Sequence, residues 1–311
     1  MTTWTMGPED RTQPAGRVVA LVLAAQLEDM RRHEPAVLAG EDPIHLHDYR
    51  VALRRARSLV SASRDVLPDE PRRELATGMR ALSRTTSEVR DLDVLIDTVA
   101  AGRGAISAEL ADGAELLVAA LRLRRSTVVR EMEAHLESDA HRVMLRTWQH
   151  LGSVYRVGGA APGPDALRPT GAIVDAAVMS AFRRVRDSGR VAHATDELDD
   201  WHELRKRLKR LRYLVVAFAP LYPEASLDPV VRRLRKLQNV LGRLQDHATD
   251  IELIESVGIA AGGRAALVAG AMSDQLYRAT ADDLQRCLGA WERFDQRSVR
   301  RQLRDAIRDA A

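Results

Sequence analysis

Apolar residues recur at helical spacing along most of the chain. Between residues 17 and 39 they fall at positions 18, 19, 22, 23, 27 and 30, which together form one face of a helix. Equivalent patterns predict helices over residues 43–66, 70–100, 105–137, 142–155, 173–191, 198–221 and 227–257, followed by long helices to the C-terminus. We expect breaks between helices at Gly40, at Pro68, at Gly102 and Gly104, and at Gly258, Gly262 and Gly263. No segment has the alternation of a half-buried strand, so the pattern predicts an all-α protein.

The helix predicted around residues 202–215 is amphipathic in an unusual way. One narrow stripe carries His202, Arg205, Lys209 and Arg212, and the opposite side carries Leu204, Leu208, Leu211 and Val215. Six Lys or Arg residues of this segment face a single acid, Glu203. A face of like charge repels itself unless an anion binds to it. The segment therefore predicts a helix that packs with its apolar side and binds a polyanion with its basic side.

The same stretch occurs twice. Residues 47–60 align without gaps with residues 202–215 at an offset of 155, and seven of the fourteen positions are identical. The basic stripe is repeated as the pairs His47/His202, Arg50/Arg205, Arg54/Lys209 and Arg57/Arg212. The same offset relates Pro68 to Pro223, Arg80 to Arg235, Leu82 to Leu237 and Asp91 to Asp246. A constant offset over such a length indicates an internal duplication.

The duplication and the length of 311 residues both favour two related bundles. We expect a flexible leader over residues 1–16, an N-terminal helical bundle over 17–156, a linker over 157–170 and a C-terminal helical bundle over 171–311. The linker prediction depends on the Gly- and Pro-rich run at residues 157–164. The two bundles are expected to be pseudo-symmetric four-helix bundles.

The charge distribution, the lack of long apolar runs and the cysteine content restrict the classes of protein to which this chain can belong. The formal net charge is only +3, but the positive surplus is concentrated in the two repeated helices. No apolar run is long enough to cross a bilayer, and the first 16 residues lack the form of a signal peptide, so we expect a cytoplasmic protein without membrane association. The single cysteine, Cys287, rules out an intrachain disulfide and a cysteine-based metal cluster.

The paired motif resembles that of the conserved histidine α-helical domain, CHAD. It carries His-x-x-Arg-x-x-x-Arg/Lys-Arg-x-Arg twice, with Arg-Asp-Leu-Asp at 90–93 after the first copy and Leu-Gly-Arg-Leu-Gln-Asp-His at 241–247 after the second. The resemblance extends from about residue 17 to about residue 307. It implies one all-helical domain of two related four-helix bundles around a basic pore or cleft. Many members are fused to a CYTH domain; its Glu-x-Glu-x-Lys signature is missing here, so we expect a stand-alone member without CYTH activity.

Members of this family bind inorganic polyphosphate and associate with polyphosphate granules. On the family pattern, we expect direct phosphate contacts from His47, Arg50, Arg54, Arg57, His202, Arg205, Lys209 and Arg212. The second set of candidates, which flank these or lie on the adjacent stripe, is Arg55, Lys206, Arg210, Arg80, Arg84 and Arg235. At the divergent pairs Val51/Lys206 and Arg84/Asn239 the site is expected to be less symmetric, and the second copy is expected to bind more strongly. Arginine also suits this ligand, since its planar fork grips phosphate oxygens in pairs.

Other interpretations of single features stay open. A charged helix face is often simply solvated, although two matched copies disfavour that explanation here. His47 and His202 either contact phosphate or cap and hydrogen-bond the helix start. A metal site at His45, His47 and His202 is disfavoured, because no carboxylate or thiolate partner accompanies them among the arginines. Asp91 and Asp246 are expected to pair with motif arginines rather than to act as catalytic acids, and Trp148, Trp201 and Trp291 to pack between helices.

Three function classes follow from these observations. The first is non-catalytic binding of inorganic polyphosphate in the cytoplasm, at polyphosphate granules, with granule-associated proteins as further partners. The second is binding of nucleic acid, which the lack of interleaved stacking aromatics disfavours. The third is a phosphohydrolase or metal-binding protein, for which neither a phosphate-cradling glycine loop nor a nucleophile elbow is present. We therefore expect no enzymatic activity, no metal and no cofactor.

Overall fold

The computed structural model describes residues 5–102, 111–153 and 163–310. These residues form ten α-helices, with short 3-10 helices at Pro8–Arg11 and Ala219–Leu221, and contain no strand. The helices are α1 (Ala15–Leu38), α2 (Pro43–Ala62), α3 (Asp69–Gly102), α4 (Ala111–Glu137), α5 (Asp139–Ser153), α6 (Thr170–Thr195), α7 (Leu198–Ala217), α8 (Asp228–Ala261), α9 (Gly263–Phe294) and α10 (Arg297–Ala310). The prediction of an all-α protein is confirmed. Among these residues, no helix has an apolar stretch that could span a membrane.

Both basic helices end earlier than the sequence pattern predicts. Helix α2 ends at Ala62 rather than at 66, where the Ser63 amide donates to the Leu59 carbonyl at 2.9 Å and closes the last turn. Helix α7 ends at Ala217 rather than at 221, because Pro220 has no amide hydrogen to donate to the carbonyl four residues earlier, and the chain turns into a 3-10 helix. Apolar residues continue beyond both ends, so the apolar pattern predicted helices that are longer than those observed.

The break predicted after α8 is confirmed at Gly262 and Gly263 and is wrong for Gly258. Helix α8 continues through Gly258 to Ala261, and the chain turns at Gly262 and Gly263, whose φ angles are +69° and +52°. A β-carbon at Gly258 would lie 2.2 Å from the Ala269 β-carbon. Gly258 therefore allows α8 and α9 to approach closely rather than ending a helix. The break predicted at Gly104 lies outside the described residues.

The chain divides into two compact units. The first unit comprises Met1–Ser83, Asp139–Asn239 and Leu288–Ala311, and the second comprises Arg84–Ser138 and Val240–Cys287. Helices α3, α8 and α9 contribute residues to both. Each unit thus combines segments from both halves of the sequence. The division into a bundle over 17–156 and a bundle over 171–311 stays a prediction, and residues 157–162 of the proposed linker lie outside the described residues.

The core of the first unit is built on two helix pairs. Helix α1 packs against α2 and α5, α6 packs against α7, and α2 packs against α7. The indoles of Trp148, Trp201 and Trp291 are buried among these helices, as predicted. The Trp148 indole donates to the Leu23 carbonyl at 2.8 Å, which satisfies its only polar atom inside the core. This core fixes the two basic helices side by side.

The repeat offset is visible in the first unit. Helix α7 begins and ends 155 residues after α2, and α6 begins 155 residues after α1. The antiparallel bridge between Pro14 and Pro169 joins residues that correspond under the same offset. An antiparallel contact between corresponding residues has local two-fold symmetry. These helix bounds and this contact follow the offset of the repeat, and the pair of related four-helix bundles stays a prediction.

The predicted flexible leader is held in place over most of its described residues. Asp10 is buried, and the Arg11 guanidinium donates to Asp175 at 2.7 Å. The Thr170 amide donates to the Gln13 carbonyl at 2.9 Å. These contacts correct the prediction for residues 8–16. The segment was predicted to be flexible from its Gly and Pro residues. Its partners lie more than 150 positions away along the chain, so the local sequence does not reveal them.

The second unit brings three carboxylates together. Asp91 and Asp246, which correspond under the repeat offset, lie close enough to Asp250 that burial and then their charges raise the pKa of Asp250 to about 6. The predicted pairing of Asp91 and Asp246 with motif arginines stays a prediction. Because the pKa of Asp250 is raised above its ordinary value of 3.8, its proton stabilises the folded state fully below pH 3.8. That stability is lost as the pH rises through about 6.

Replacing Asp250 with Asn is expected to stabilise the protein at neutral and alkaline pH. The amide keeps the shape of the protonated acid and removes the repulsion, which is worth about 1 kcal/mol after screening by solvent, or about 3 °C in melting temperature. Melting curves at pH 8 and pH 4 would measure this, with a clear rise expected only at pH 8. Asp97→Asn, at an exposed carboxylate of α3 in the same unit, is the matched control. An equal rise at both pH values, or none at pH 8, would contradict the prediction.

Candidate polyanion-binding site

Helices α2 and α7 orient the two basic stripes by burying their opposite sides. In α2 the buried residues include Tyr49 and Leu53, and in α7 they include Leu204 and Leu208. The Asp42 carboxylate caps α2 by accepting from the Ile44 amide at 2.9 Å. We name the residues on the other side the N-terminal stripe (His47, Arg50, Arg54, Arg57) and the C-terminal stripe (His202, Arg205, Lys209, Arg212). All eight belong to the first unit.

Burial separates the stripes from the second set of candidates. Every stripe residue except His47 is half-buried. The second set is exposed throughout: Arg55, Arg80, Arg84, Lys206, Arg210 and Arg235. Arg84 belongs to the second unit, and the other five belong to the first. Cations on an ordinary solvated face extend into water, so the half-burial of two like-charged stripes argues against simple solvation.

Two stripe arginines are held in place by neighbouring side chains. Arg57 donates from Nη1 to the Ser83 hydroxyl at 2.6 Å, and the Arg212 guanidinium lies 4.9 Å from the ring centroid of Tyr213. Ser83 was not among the predicted site residues, although its position three residues after Arg80 on the polar side of α3 was a usable signal. The Nε atoms of Arg54 and Arg212 are buried without a hydrogen-bond partner in the described part of the chain. Buried donors of this kind favour an acceptor such as a phosphate oxygen.

Glu203, the single acid of the segment 202–215, forms ion pairs with cations that lie beside the C-terminal stripe. Glu203 accepts from Lys206 at 2.6 Å and from Arg207 at 2.9 Å. These two hydrogen bonds lower the pKa of Glu203 to about 2. Both of these partners lie outside the stripe.

His202 lies in an environment that opposes its protonation. Burial first, then the charges of Lys206 and Arg205, lower the pKa of His202 below 6.5. The N-cap positions of α2 and α7 are occupied by Asp42 and Glu197. The capping role considered for His47 and His202 is therefore wrong, since both lie inside their helices, whereas a hydrogen-bonding role near the helix start stays a prediction. Direct contact with phosphate stays a prediction.

His45, the third histidine considered for a metal site, contacts His33 and Glu41 instead. The Nδ1 atom of His45 lies 3.2 Å from Nδ1 of His33, and its Nε2 lies 4.0 Å from Glu41. Within residues 5–102, 111–153 and 163–310, no group of three or more His, Cys, Asp or Glu side chains is arranged to hold a metal ion.

Two packed helices with matching basic stripes, in an all-helical chain, define a helical domain suited to a polyanion. The CHAD domain model matches residues 21–255, and the chain belongs to the CHAD domain family. That family is linked to polyphosphate binding in general.

Sequence and structural relatives agree with this assignment. Uncharacterized proteins from two strains of Mycobacterium tuberculosis are each 29% identical over 98% of this chain. The chain spans 56% of the length of those relatives. The crystal structure of the CHAD domain from the plant Ricinus communis matches with a TM-score of 0.74 at 20% identity, covering 94% of this chain and 95% of that one. PptA from Streptomyces chartreusis matches with a TM-score of 0.68 at 16% identity, covering 90% of this chain and 99% of that one.

Proposed function

We propose that this chain binds inorganic polyphosphate without catalysis, through the N-terminal and C-terminal stripes, and that binding directs it to polyphosphate granules in the cytoplasm. Membership of the CHAD family supports the ligand class. Granule-associated proteins are the partners that this role implies.

The observation that carries the proposal is the half-burial of two like-charged stripes on helices that pack together. Partly desolvated cations attract an anion more strongly than fully exposed ones do, because solvent screens the interaction less. A linear phosphate polymer supplies many charges along one line. It has no base edges, so a row of cations is sufficient to recognise it.

Nucleic acid fits the stripes less well. Single-stranded nucleic acids are usually held by aromatic side chains on which the bases stack. Tyr213, the aromatic residue next to the C-terminal stripe, already lies beneath the Arg212 guanidinium. Polyphosphate needs only the cations, and we therefore place it ahead of DNA and RNA.

Titration with long-chain polyphosphate at about 50 mM and about 200 mM salt tests the proposal. We expect tight binding that weakens steeply with salt, because each neutralised phosphate releases a counterion. Orthophosphate should not accumulate during the experiment, and a chelator should leave binding unchanged. Absence of binding at the lower salt concentration, or release of orthophosphate, would contradict non-catalytic polyphosphate binding.

Polyphosphate binding is expected to strengthen as the pH falls from about 8 to about 6. The unliganded protein holds the pKa of His202 below 6.5, through burial and the neighbouring cations Lys206, Arg205 and Lys209, with Glu203 acting in the opposite direction. A bound polyanion raises that pKa, so binding takes up a proton and tightens at lower pH. We expect a gain of about threefold to tenfold across this range.

Titrations of the His202→Gln variant at both pH values would identify the responsible group. This variant should lose most of the pH dependence while retaining binding at pH 8. His150→Gln, at an exposed histidine of α5, is the control and should behave as the unmodified chain does. An unchanged pH dependence in the His202→Gln variant would exclude His202 as the linked group.

A further inference from the structure

A second basic concavity lies on the first unit, beside the stripes. It has a volume of about 690 Å³ and is open to solvent on one side. Helix α7 lines it with Glu203, Arg207, Arg210 and Leu214, which form a different side of the helix from the C-terminal stripe. Helix α6, the end of α2 and the turn at 163–168 form its other walls. We name this concavity the α6/α7 groove.

The groove holds more positive charge than its acids neutralise. Five arginines and three acidic residues line it. Two of the acids are engaged, since Asp165 pairs with Arg168 at 3.0 Å and Glu203 pairs with Arg207 at 2.9 Å. The remaining arginines, Arg64, Arg184 and Arg210, are exposed and form no ion pair within the described ranges. Three guanidinium groups thus converge on one concavity with a single acid, Asp65, left among them.

The wall opposite α7 is fixed by backbone contacts rather than by mobile side chains. The Gly163 amide donates to the Val66 carbonyl at 3.2 Å, and the Asp165 amide donates to the Asp65 carbonyl at 2.8 Å. A β-carbon at Gly163 would lie 2.6 Å from the Asp65 carbonyl oxygen, so only glycine fits there. A preformed wall lowers the entropy cost of binding a small ligand.

We propose that the α6/α7 groove is a separate site for a triphosphate group, carried either by a nucleotide or by a short inorganic phosphate chain. Three arginines supply charge for three phosphates, and the hydroxyls of Ser61 and Ser180 supply neutral donors. The alanine surface of α6, at Ala177 and Ala181, offers an apolar wall to the remainder of a nucleotide. The groove is suited to a compact ligand, whereas the stripes are suited to an extended one. The inference does not depend on polyphosphate binding by the stripes.

Calorimetric titrations with ATP and with inorganic tripolyphosphate, each without divalent cations, test the inference. The Arg184→Gln/Arg210→Gln variant should bind both ligands at least about tenfold more weakly, because two charge-assisted contacts are lost. The Ala177→Phe variant keeps the charge and fills the groove, and it should weaken binding to a similar degree. Tighter binding of ATP than of tripolyphosphate would assign the natural source as a nucleotide, and the reverse would assign it as an inorganic chain.

Two further variants separate the groove from the stripes and from net charge. Arg183→Gln/Arg232→Gln removes two exposed arginines outside the groove, and it should change binding of either ligand by less than about twofold. Arg205→Ala/Lys209→Ala/Arg212→Ala should lose long polyphosphate yet keep ATP or tripolyphosphate. Failure of the unmodified chain to bind either short ligand would overturn the inference. Loss of the short ligands only in the stripe variant would overturn it too, by placing them on the stripes.

Discussion

Replacing Arg205, Lys209 and Arg212 together with alanine is expected to weaken binding of long polyphosphate by at least about 100-fold. Each residue supplies a half-buried cation, and a charge-assisted hydrogen bond contributes about 1.5–3 kcal/mol. The dependence of affinity on salt should also become shallower, since fewer counterions are released. Helicity should be unchanged, because the buried side of α7 is left intact. Titration at two salt concentrations and a circular dichroism spectrum measure both expectations.

A charge-matched control shows whether position or total charge matters. Arg183→Ala/Arg232→Ala/Arg300→Ala removes three exposed arginines of the first unit outside the stripes. It should lower affinity by less than about threefold. An equal loss in both triple variants would mean that the ligand responds to net charge alone. Collapse of helicity in the stripe variant would mean that its residues are structural.

The N-terminal stripe provides an internal comparison. The Arg50→Ala/Arg54→Ala/Arg57→Ala variant should lose less affinity than its C-terminal counterpart, because the second copy of the repeat is expected to bind more strongly. Arg57 also has a local partner in Ser83, at 2.6 Å. A larger loss from the N-terminal stripe would reverse the order of strength that the sequence predicts.

Replacing Trp201 with alanine is expected to destabilise the first unit by about 3–5 kcal/mol, in line with other large-to-small changes in protein cores. The Trp201 side chain is fully buried, and its indole donates to the Asp196 carboxylate at 3.1 Å. Asp196 ends α6 with a left-handed φ of +56°, so this contact sets the turn into α7. Loss of the indole therefore removes core volume and the bond that positions the start of the basic helix.

Urea denaturation measures this effect, with Leu198→Ala as the control in the same helix. Leu198 is 50% exposed, so its truncation should cost less than about 1 kcal/mol. Polyphosphate binding by the Trp201→Ala variant should weaken in conditions where the fold persists, since the C-terminal stripe loses its support. A cost within about 1 kcal/mol for Trp201→Ala would contradict the role assigned to the indole.

Local sequence patterns predicted the helices and their basic stripes well. The starts of α2 and α7 were predicted from the periodicity of apolar residues, which depends on positions only a few residues apart. The helix ends at Ala62 and Ala217 were missed because apolar residues continue beyond them, and only hydrogen bonding and Pro220 end the helices. Gly258 was misinterpreted because the sequence alone does not distinguish a glycine that ends a helix from a glycine that allows a neighbouring helix to pack closely.

Features that depend on distant parts of the chain were not accessible from the sequence. The α6/α7 groove depends on Arg64 and Arg184, which lie far apart in sequence and follow no shared motif. The contacts of Arg11 with Asp175, and the half-burial of the stripes, depend on tertiary packing in the same way. The repeat is the one long-range feature named here that could be predicted, because its constant offset is found by aligning the sequence with itself. The bounds of α2 and α7 show the same offset.

Competition between long-chain polyphosphate and duplex DNA tests the central claim most directly. Labelled polyphosphate is bound to the unmodified chain, and duplex DNA is added at matched total charge and fixed salt. The two half-buried stripes are proposed to recognise a line of phosphates, and they have no means to stack or read bases. We therefore expect DNA to displace little of the label. Displacement of polyphosphate by DNA at equal charge would contradict the account, because the stripes would then be a general polyanion surface.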